Sequence, residues 1–406
     1  MPELGEVAHA AKLLSKHLAG KRISKLQLET DTIVFPSQTP EIRSQIEKRY
    51  ATKKIVDVGR HGKYFWIVLN DSQAGSKRAT AKKMGSAIEV MLLHLGMTGW
   101  VHIRDVNSNF FPMEASKDGE KPEGYDEKKK KEGWPPRFSK FLLTAEDGLE
   151  FSFTDPRRLA RVRFLEIDSD MKSSDEGDIM SAAEEALKKI EPLCRSGKDF
   201  SKRDSRLSEE EFTQIVSKRK VPVKSLLLDQ AVCAGIGNWM ADEILFQSRV
   251  HPEQYSNTIP PSTQKLLYEK LCEISEYTVT HQINAFPKSW LMKHRWSKRS
   301  KKGERPKTAD GYTVDFVTVG GRTSCFVPEL QMLTSPESEI SEETTEVDVK
   351  VETKKRTVTA SSEVTEKTTK RRGTSKKKIE TTEEINSEIE TARPVRSTRT
   401  RKARKT

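Results

Sequence analysis

Asp229-Gln230-Ala231-Val232-Cys233-Ala234-Gly235-Ile236-Gly237-Asn238 is the segment on which the reading of this chain turns. Ahead of it stands a short apolar piece, Ser225-Leu226-Leu227-Leu228, and behind it a helical run over 239–249. Gly235 and Gly237 lack side chains, so backbone N–H groups at the start of the second helix can approach a phosphate closely. A lone pair of glycines is a weak signal; its place between two helical runs strengthens it. Working outward, Ser208 with Glu211 three residues later is a capping-box signature ahead of Phe212, Ile215 and Val216. Leu267, Leu271 and Ile274 mark an amphipathic helix over 262–282. From Leu207 onward the chain is therefore expected to be mainly helical.

The first half has a different texture. Residues 3–18 place Leu4, Val7, Ala11, Leu14 and Leu18 at helical spacing, with Gly20 as a stop. There follow β-like runs at 22–34, 53–58, 64–69, 88–93, 99–103, 137–144, 149–153 and 161–165, separated by turn-forming residues. One helix followed by many short strands predicts a sandwich or barrel. Near the end, 312–327 reads as two strands about Gly320-Gly321, because paired glycines supply the positive φ of a tight hairpin. The expected class is α+β: an N-terminal helix plus antiparallel β-sandwich over 1–165, a linker over 166–206, and a helical domain with its hairpin over 207–333. Residues 104–136, with the run Lys128 to Lys131, are expected as a solvated polar insertion.

Polarity is unevenly spread over the 406 residues, whose formal net charge is +12. Residues 341–406 hold 18 Lys and Arg against 12 Asp and Glu, with no Phe, Trp, Tyr, Leu or Met, so that stretch cannot bury enough apolar surface to offset ordering. A disordered basic tail over 334–406 is expected, and its clusters (Lys370-Arg371-Arg372, Lys376-Lys377-Lys378, Arg401-Lys402) fit nuclear import or loose phosphate binding. The sequence contains no apolar run long enough for a membrane span and does not open like a secretory signal, so a soluble, intracellular chain is expected, and the basic clusters of the tail make the nucleus its expected place. Cys194, Cys233, Cys272 and Cys325 are far apart with no C-x-x-C, which argues against a zinc finger and against a disulfide framework; each is expected reduced and packed in the core. A positive chain favours a polyanionic partner.

The candidate chemistry begins at the N-terminus. Removal of Met1 would expose Pro2 as a secondary amine on the first turn of a helix. An α-amine has a reference pKa of about 7.7–8.0 against about 10.4 for lysine, so more of it is neutral and nucleophilic at neutral pH. A secondary amine attacking a sugar C1′ gives an iminium directly. Glu3 and Glu6 lie within the next turn, where the helix dipole favours a carboxylate and where each is placed to move protons. By itself this motif is no more than a common helix start.

Companion motifs change its weight. Met1-Pro2-Glu3-Leu4-Gly5-Glu6-Val7, Gly59-Arg60-His61-Gly62-Lys63-Tyr64, His94-Leu95-Gly96-Met97-Thr98-Gly99, Thr154-Asp155-Pro156-Arg157-Arg158 and the 229–238 segment together resemble the formamidopyrimidine-DNA glycosylase and endonuclease VIII family, in the family's order, over residues 1–252. The resemblance implies a base-excision repair enzyme with a helix-two-turns-helix domain, acting without metal or cofactor as a monomer on double-stranded DNA that contains damaged bases or abasic sites. It implies Pro2 as Schiff-base nucleophile, Glu3 as the acid that protonates the sugar ring oxygen, and Lys63 as a phosphate contact that assists β-elimination. It further implies Asn238 as a clamp on the DNA backbone, supported by Lys220 and Lys224, and Met97 with Arg157, Arg158 and Leu159 as the wedge that fills the void left by a flipped nucleotide. Leu159 stands where an aromatic ring is usual. Bacterial relatives carry a four-cysteine zinc finger near their end; this chain resembles the zincless finger of plant and fungal members, with Arg322 at the hairpin tip to bind phosphate and assist δ-elimination. Val314, Phe316, Val317 and Phe326 are expected to pack that hairpin. Two rivals share the fold: a non-catalytic damaged-DNA or chromatin binder, and an enzyme that is mainly an AP lyase.

Overall fold

A computed structural model describes residues 2–36, 38–70, 88–106, 133–167, 175–295 and 305–333. The lysine run, most of the polar insertion and the whole tail expected above lie outside the described residues.

Helix α1 (Leu4–Leu18) opens the fold. Two four-stranded antiparallel sheets follow, one ordered β1 (Ile23–Leu28), β6 (Ser139–Ala145), β7 (Glu150–Thr154), β5 (Trp100–Ile103), the other β2 (Lys54–His61), β3 (Tyr64–Asn70), β4 (Ile88–His94), β8 (Arg161–Ile167). Phe65, Ile67 and Leu69 of β3 meet Phe141, Phe151 and Phe153 of the opposing sheet, and Val7, Leu14 and Leu18 of α1 join the same core. The run Tyr64 to Leu69 has no polar alternation because β3 is buried on both faces. Its Trp66 and Val68 point outward into a second apolar layer with Ile179, Ala183 and Leu187 of α3 (Glu176–Leu187).

Helix α3 corrects the reading of 166–206 as a linker. Ile179, Ala183 and Leu187, spaced four apart, form one apolar stripe with Met180, Ala182 and Ala186 packed beside it, and that stripe closes the outer face of the sheet. A second helix absent from the sequence reading is α2 (Pro40–Tyr50), which starts at Thr39, whose hydroxyl accepts the Ile42 N–H, and buries only Tyr50.

The helical half contains α4 (Glu209–Lys218), α5 (Val223–Leu228), α6 (Asn238–Gln247) and α7 (Pro261–Thr280) around a core that includes Phe212, Leu227, Trp239, Ile244 and Leu271. The capping box at α4 forms as expected: Ser208 Oγ accepts the Glu211 N–H, and Glu211 accepts the Ser208 N–H. Leu4, the first residue of α1, belongs to this core and not to the sandwich. Packing between α1 and α7 is tight enough that a Cβ on Gly5 would lie 2.9 Å from the Thr278 carbonyl oxygen.

Strands β9 (Asp315–Val319) and β10 (Arg322–Phe326) pair antiparallel, with Arg322 opposite Val319 across Gly320-Gly321. Both glycines have positive φ, 57° and 71°, as a two-residue turn between twisted strands requires. The expected packing is half right. Val314 and Phe326 are buried, but Phe316 is exposed and Val317 only half-buried; the apolar cluster beneath the hairpin is Phe246, Leu291, Val314, Cys325 and Val327. All four cysteines are free; three are buried, whereas Cys194 is exposed and contradicts its expected place in the core. Among the described residues no helix is long and apolar enough to cross a membrane, and no cluster of His, Cys, Asp and Glu could hold a metal.

Candidate active site

Four chain segments converge where the two halves meet, and glycines let them do so. Leu4 N–H donates to the Gly235 carbonyl at 3.1 Å, which fixes the chain start against the 229–238 loop. Gly62, at φ 56° in the β2–β3 turn, lies so near that a Cβ there would sit 3.0 Å from Gly235 N. Gln230 holds the loop from inside: its side-chain oxygen accepts the Gly235 N–H and its amide donates to the Ile236 carbonyl at 2.8 Å. Asp199 holds the turn, accepting from Gly62 N–H at 2.9 Å and pairing with Arg60.

Pro2 is buried at the start of this knot. Glu3 caps α1, donating its N–H to Glu6 Oε2 at 3.0 Å. Its carboxylate reaches into the other half of the molecule and accepts the Trp239 and Met240 N–H groups, each at 3.1 Å, so it lies on the open N-terminus of α6. Gly237 makes that seat possible, since a Cβ there would stand 2.1 Å from Glu3 Cδ. We expect Gly237→Ala to cost about 1–3 kcal/mol by overpacking and to cut base excision sharply by displacing Glu3. Thermal melting together with an excision assay checks this; unchanged values in both would show that the carboxylate has another resting place.

Burial raises the Glu3 carboxyl above its ordinary range, although Lys63 and the two N–H donors pull it down. Glu6 rises to about 7 through burial and the neighbouring Glu3 charge. Lys63 moves the opposite way: burial lowers its ammonium, Glu3 opposes that, and Arg322 adds to it. Lys63 Nζ donates to the Ile236 carbonyl at 2.9 Å. Carboxyls pushed up and an amine pushed down around one buried terminus shift acid and base toward each other, the direction that favours proton transfer.

Arg322 stands exposed at the start of β10, and the hairpin tip leans on α5, where a Cβ on Gly320 would lie 2.7 Å from Ser225 Oγ. Asn238 caps the junction, its side-chain amide donating to the Thr323 carbonyl at 3.0 Å while its Oδ1 has no partner. Lys220 is exposed just ahead of α5. Lys224 departs from its expected role as a surface phosphate contact. It is fully buried, its ammonium lies 2.5 Å from Asp242 Oδ1, and burial next to Arg295 lowers its pKa to about 7.

The four wedge candidates are gathered at one rim. Met97 is half-buried in the turn between β4 and β5, and a Cβ on the adjacent Gly96 would meet the Leu159 carbonyl carbon at 2.5 Å. Asp155, a residue that sequence reasoning alone does not single out, organises both pieces. It accepts from Thr98 Oγ1, from the Arg157 N–H, and from the Leu159 and Ala160 N–H groups at 2.7 Å each. Arg157 and Leu159 project into solvent. Arg158, also exposed, grips Asp31 with two guanidinium nitrogens, at 3.0 and 3.1 Å.

The comparisons agree with this geometry. The formamidopyrimidine-DNA glycosylase N-terminal domain matches residues 1–162, and the H2TH domain of the same enzyme matches 200–286. A formamidopyrimidine-DNA glycosylase of Arabidopsis thaliana is 31% identical over 84% of this chain and 73% of its own length. One from Heliobacterium modesticaldum is 26% identical over 66% of this chain and 75% of its own. Among solved structures, Lactococcus lactis Fpg in complex with DNA containing N7-benzyl-Fapy-dG superimposes with a TM-score of 0.55 at 19% identity, covering 82% of this chain and all of that one. Lactococcus lactis Fpg bound to abasic-site DNA gives 0.54 at 20% identity, covering 81% and 99%. Domain matches spanning both halves and a plant relative aligned along most of its length place this chain in the formamidopyrimidine-DNA glycosylase family, DNA-repair glycosylases that also have AP-lyase activity.

Proposed function

We propose that this glycosylase works through Pro2 as a covalent nucleophile and cuts the strand by successive β- and δ-elimination. The observation that carries the reading is the seat of Glu3. A buried carboxyl of raised pKa lies one residue from Pro2, clamped to the N-terminus of α6, with Lys63 and Glu6 beside it. Once Met1 is removed, the Pro2 nitrogen attacks C1′ of the damaged nucleotide; the C1′–N bond to the base breaks and the base leaves with that electron pair and a proton. Glu3 gives a proton to the ring oxygen, the ring opens, and an iminium joins Pro2 to C1′. Loss of the C2′ proton expels the 3′-phosphate, loss of the C4′ proton then expels the 5′-phosphate, and hydrolysis frees Pro2.

The substrates are duplexes carrying formamidopyrimidines, other oxidised purines and oxidised pyrimidines, and abasic sites. Lactococcus lactis Fpg has been solved on Fapy-type, oxidised-pyrimidine and abasic DNA, which supports the same range here. Leu159, exposed and aliphatic at the rim, offers little ring surface to stack on the opposite base, so weak discrimination between opposite bases follows.

Borohydride reduction of the protein with abasic duplex tests the reading. A covalent adduct mapping to Pro2 is expected. Its absence from protein shown by mass to lack Met1 would leave only damaged-DNA binding.

A further inference from the structure

Strand β10 bears Arg322, yet its outward backbone edge is held by buried charges and not by another strand. Opposite β9, Thr323 and Cys325 occupy positions whose backbone groups face away from the partner strand, so the Thr323 carbonyl and the Cys325 N–H would otherwise be unpaired. Asp242 of α6 accepts the Cys325 N–H at 3.0 Å with one carboxylate oxygen and the Lys224 ammonium at 2.5 Å with the other. Arg295 pairs with the same carboxylate and donates to the Thr323 carbonyl at 3.1 Å. That carbonyl also receives Lys224 at 3.3 Å and Asn238 at 3.0 Å. Asp242, Lys224 and Arg295 are all buried.

A buried ion cluster is a poor source of net stability, because desolvation cancels most of the attraction and apolar packing would serve as well. What such a cluster supplies is direction. The apolar patch beneath the hairpin is small, and Phe316 and Val317 contribute little to it. Without the ionic contacts β10 could slide or tilt on that patch. With them its edge is pinned to the same helix, α6, whose first N–H groups hold Glu3. Arg322 and Glu3 are thus referred to one rigid element.

We propose that Asp242, acting with Lys224 and Arg295, is a positioning residue that fastens the hairpin to α6 and so sets where Arg322 stands over the reacting sugar. This rests on the reading of Arg322 as the group that assists the second elimination. In single turnovers on an abasic duplex, the full-length Asp242→Ala enzyme should form the borohydride adduct and the β-product at rates within about threefold of wild type. Its second elimination should slow by about tenfold or more, as in Arg322→Ala, and the double variant should be no slower than Arg322→Ala alone, the non-additivity of residues acting as a unit. Asp242→Asn, which keeps an acceptor for Cys325 but not the charge, should fall between. Hydrogen exchange of the wild-type protein guards against a variant that fails to fold: the Cys325 amide should exchange among the slowest in the hairpin. A wild-type product ratio in Asp242→Ala, effects that multiply in the double variant, or a Cys325 amide as fast as the turn would each overturn the proposal. Loss of the adduct in the wild type would instead sink the Pro2 reading, and hydrogen exchange would still test the fastening.

Discussion

Full-length protein carrying one extra residue ahead of Pro2 is expected to give no borohydride adduct and to excise bases slower by about 10³-fold or more, the scale of losing a covalent nucleophile. The reason lies in the amide bond. Acylated, the Pro2 nitrogen delocalises its lone pair into a carbonyl and cannot attack carbon. Pro2 is buried, Glu3 is anchored through its carboxylate and Leu4 through its N–H, so the two residues after Pro2 are held in place. A second amine is near. Lys63 is lowered by burial, so a larger fraction is neutral than in a solvated lysine. A blocked protein that still traps would therefore implicate Lys63, and adding Lys63→Met would abolish the remainder. DNA affinity should survive the block with its salt dependence intact, because cations that meet phosphates are untouched. Full-rate excision by the blocked form in both backgrounds would remove the covalent mechanism.

What the sequence disclosed, and what it hid, follows the range of the interactions. The 229–238 loop was legible because its chemistry is local: Gly235 and Gly237 are needed where the chain passes Leu4 and Glu3, and the glycines themselves appear in the text of the chain. The hairpin was legible for the same reason, since Gly320-Gly321 dictates the turn. Lys224 was misjudged because its partner, Asp242, lies 18 positions away, and nothing near a lysine in sequence tells whether its ammonium meets solvent or a buried carboxylate. The ion pair of Arg158 was hidden likewise, its partner Asp31 being 127 residues distant. Helix α3 escaped notice because a surface helix that covers only the outer face of one sheet needs no more than a narrow apolar stripe, and such a stripe in a charged stretch gives a faint periodic signal. The face of β10 that meets α6 could not have been found from side chains at all. Its key acceptor is a backbone carbonyl.

Replacing Glu3 by glutamine is the second change with a large expected effect, and it separates two things the residue does. As an acid, Glu3 is balanced between opposing forces: burial favours the protonated form, whereas Lys63 and the α6 N–H groups favour the ion, and burial prevails. Protonating the ring oxygen needs the acid, so excision by the wild type should fall as pH rises through that raised pKa and fall again at low pH as the Pro2 amine takes a proton. Glu3→Gln has no proton of comparable acidity to give, and base excision should drop by about 10²–10⁴-fold with the alkaline limb of the profile lost. Cleavage of a pre-formed abasic site should suffer far less, because that sugar already exchanges with its open aldehyde, which Pro2 attacks without ring protonation. As a strut, Glu3 offers two acceptor oxygens to Trp239 and Met240 N–H; glutamine offers one oxygen and an amide that faces a donor, a mismatch worth about 1–3 kcal/mol. The two roles therefore predict different signatures. Excision lost with abasic cleavage largely kept marks the acid, whereas equal loss of both, with a lowered melting temperature, would mean that the carboxylate serves only to join the two halves of the site.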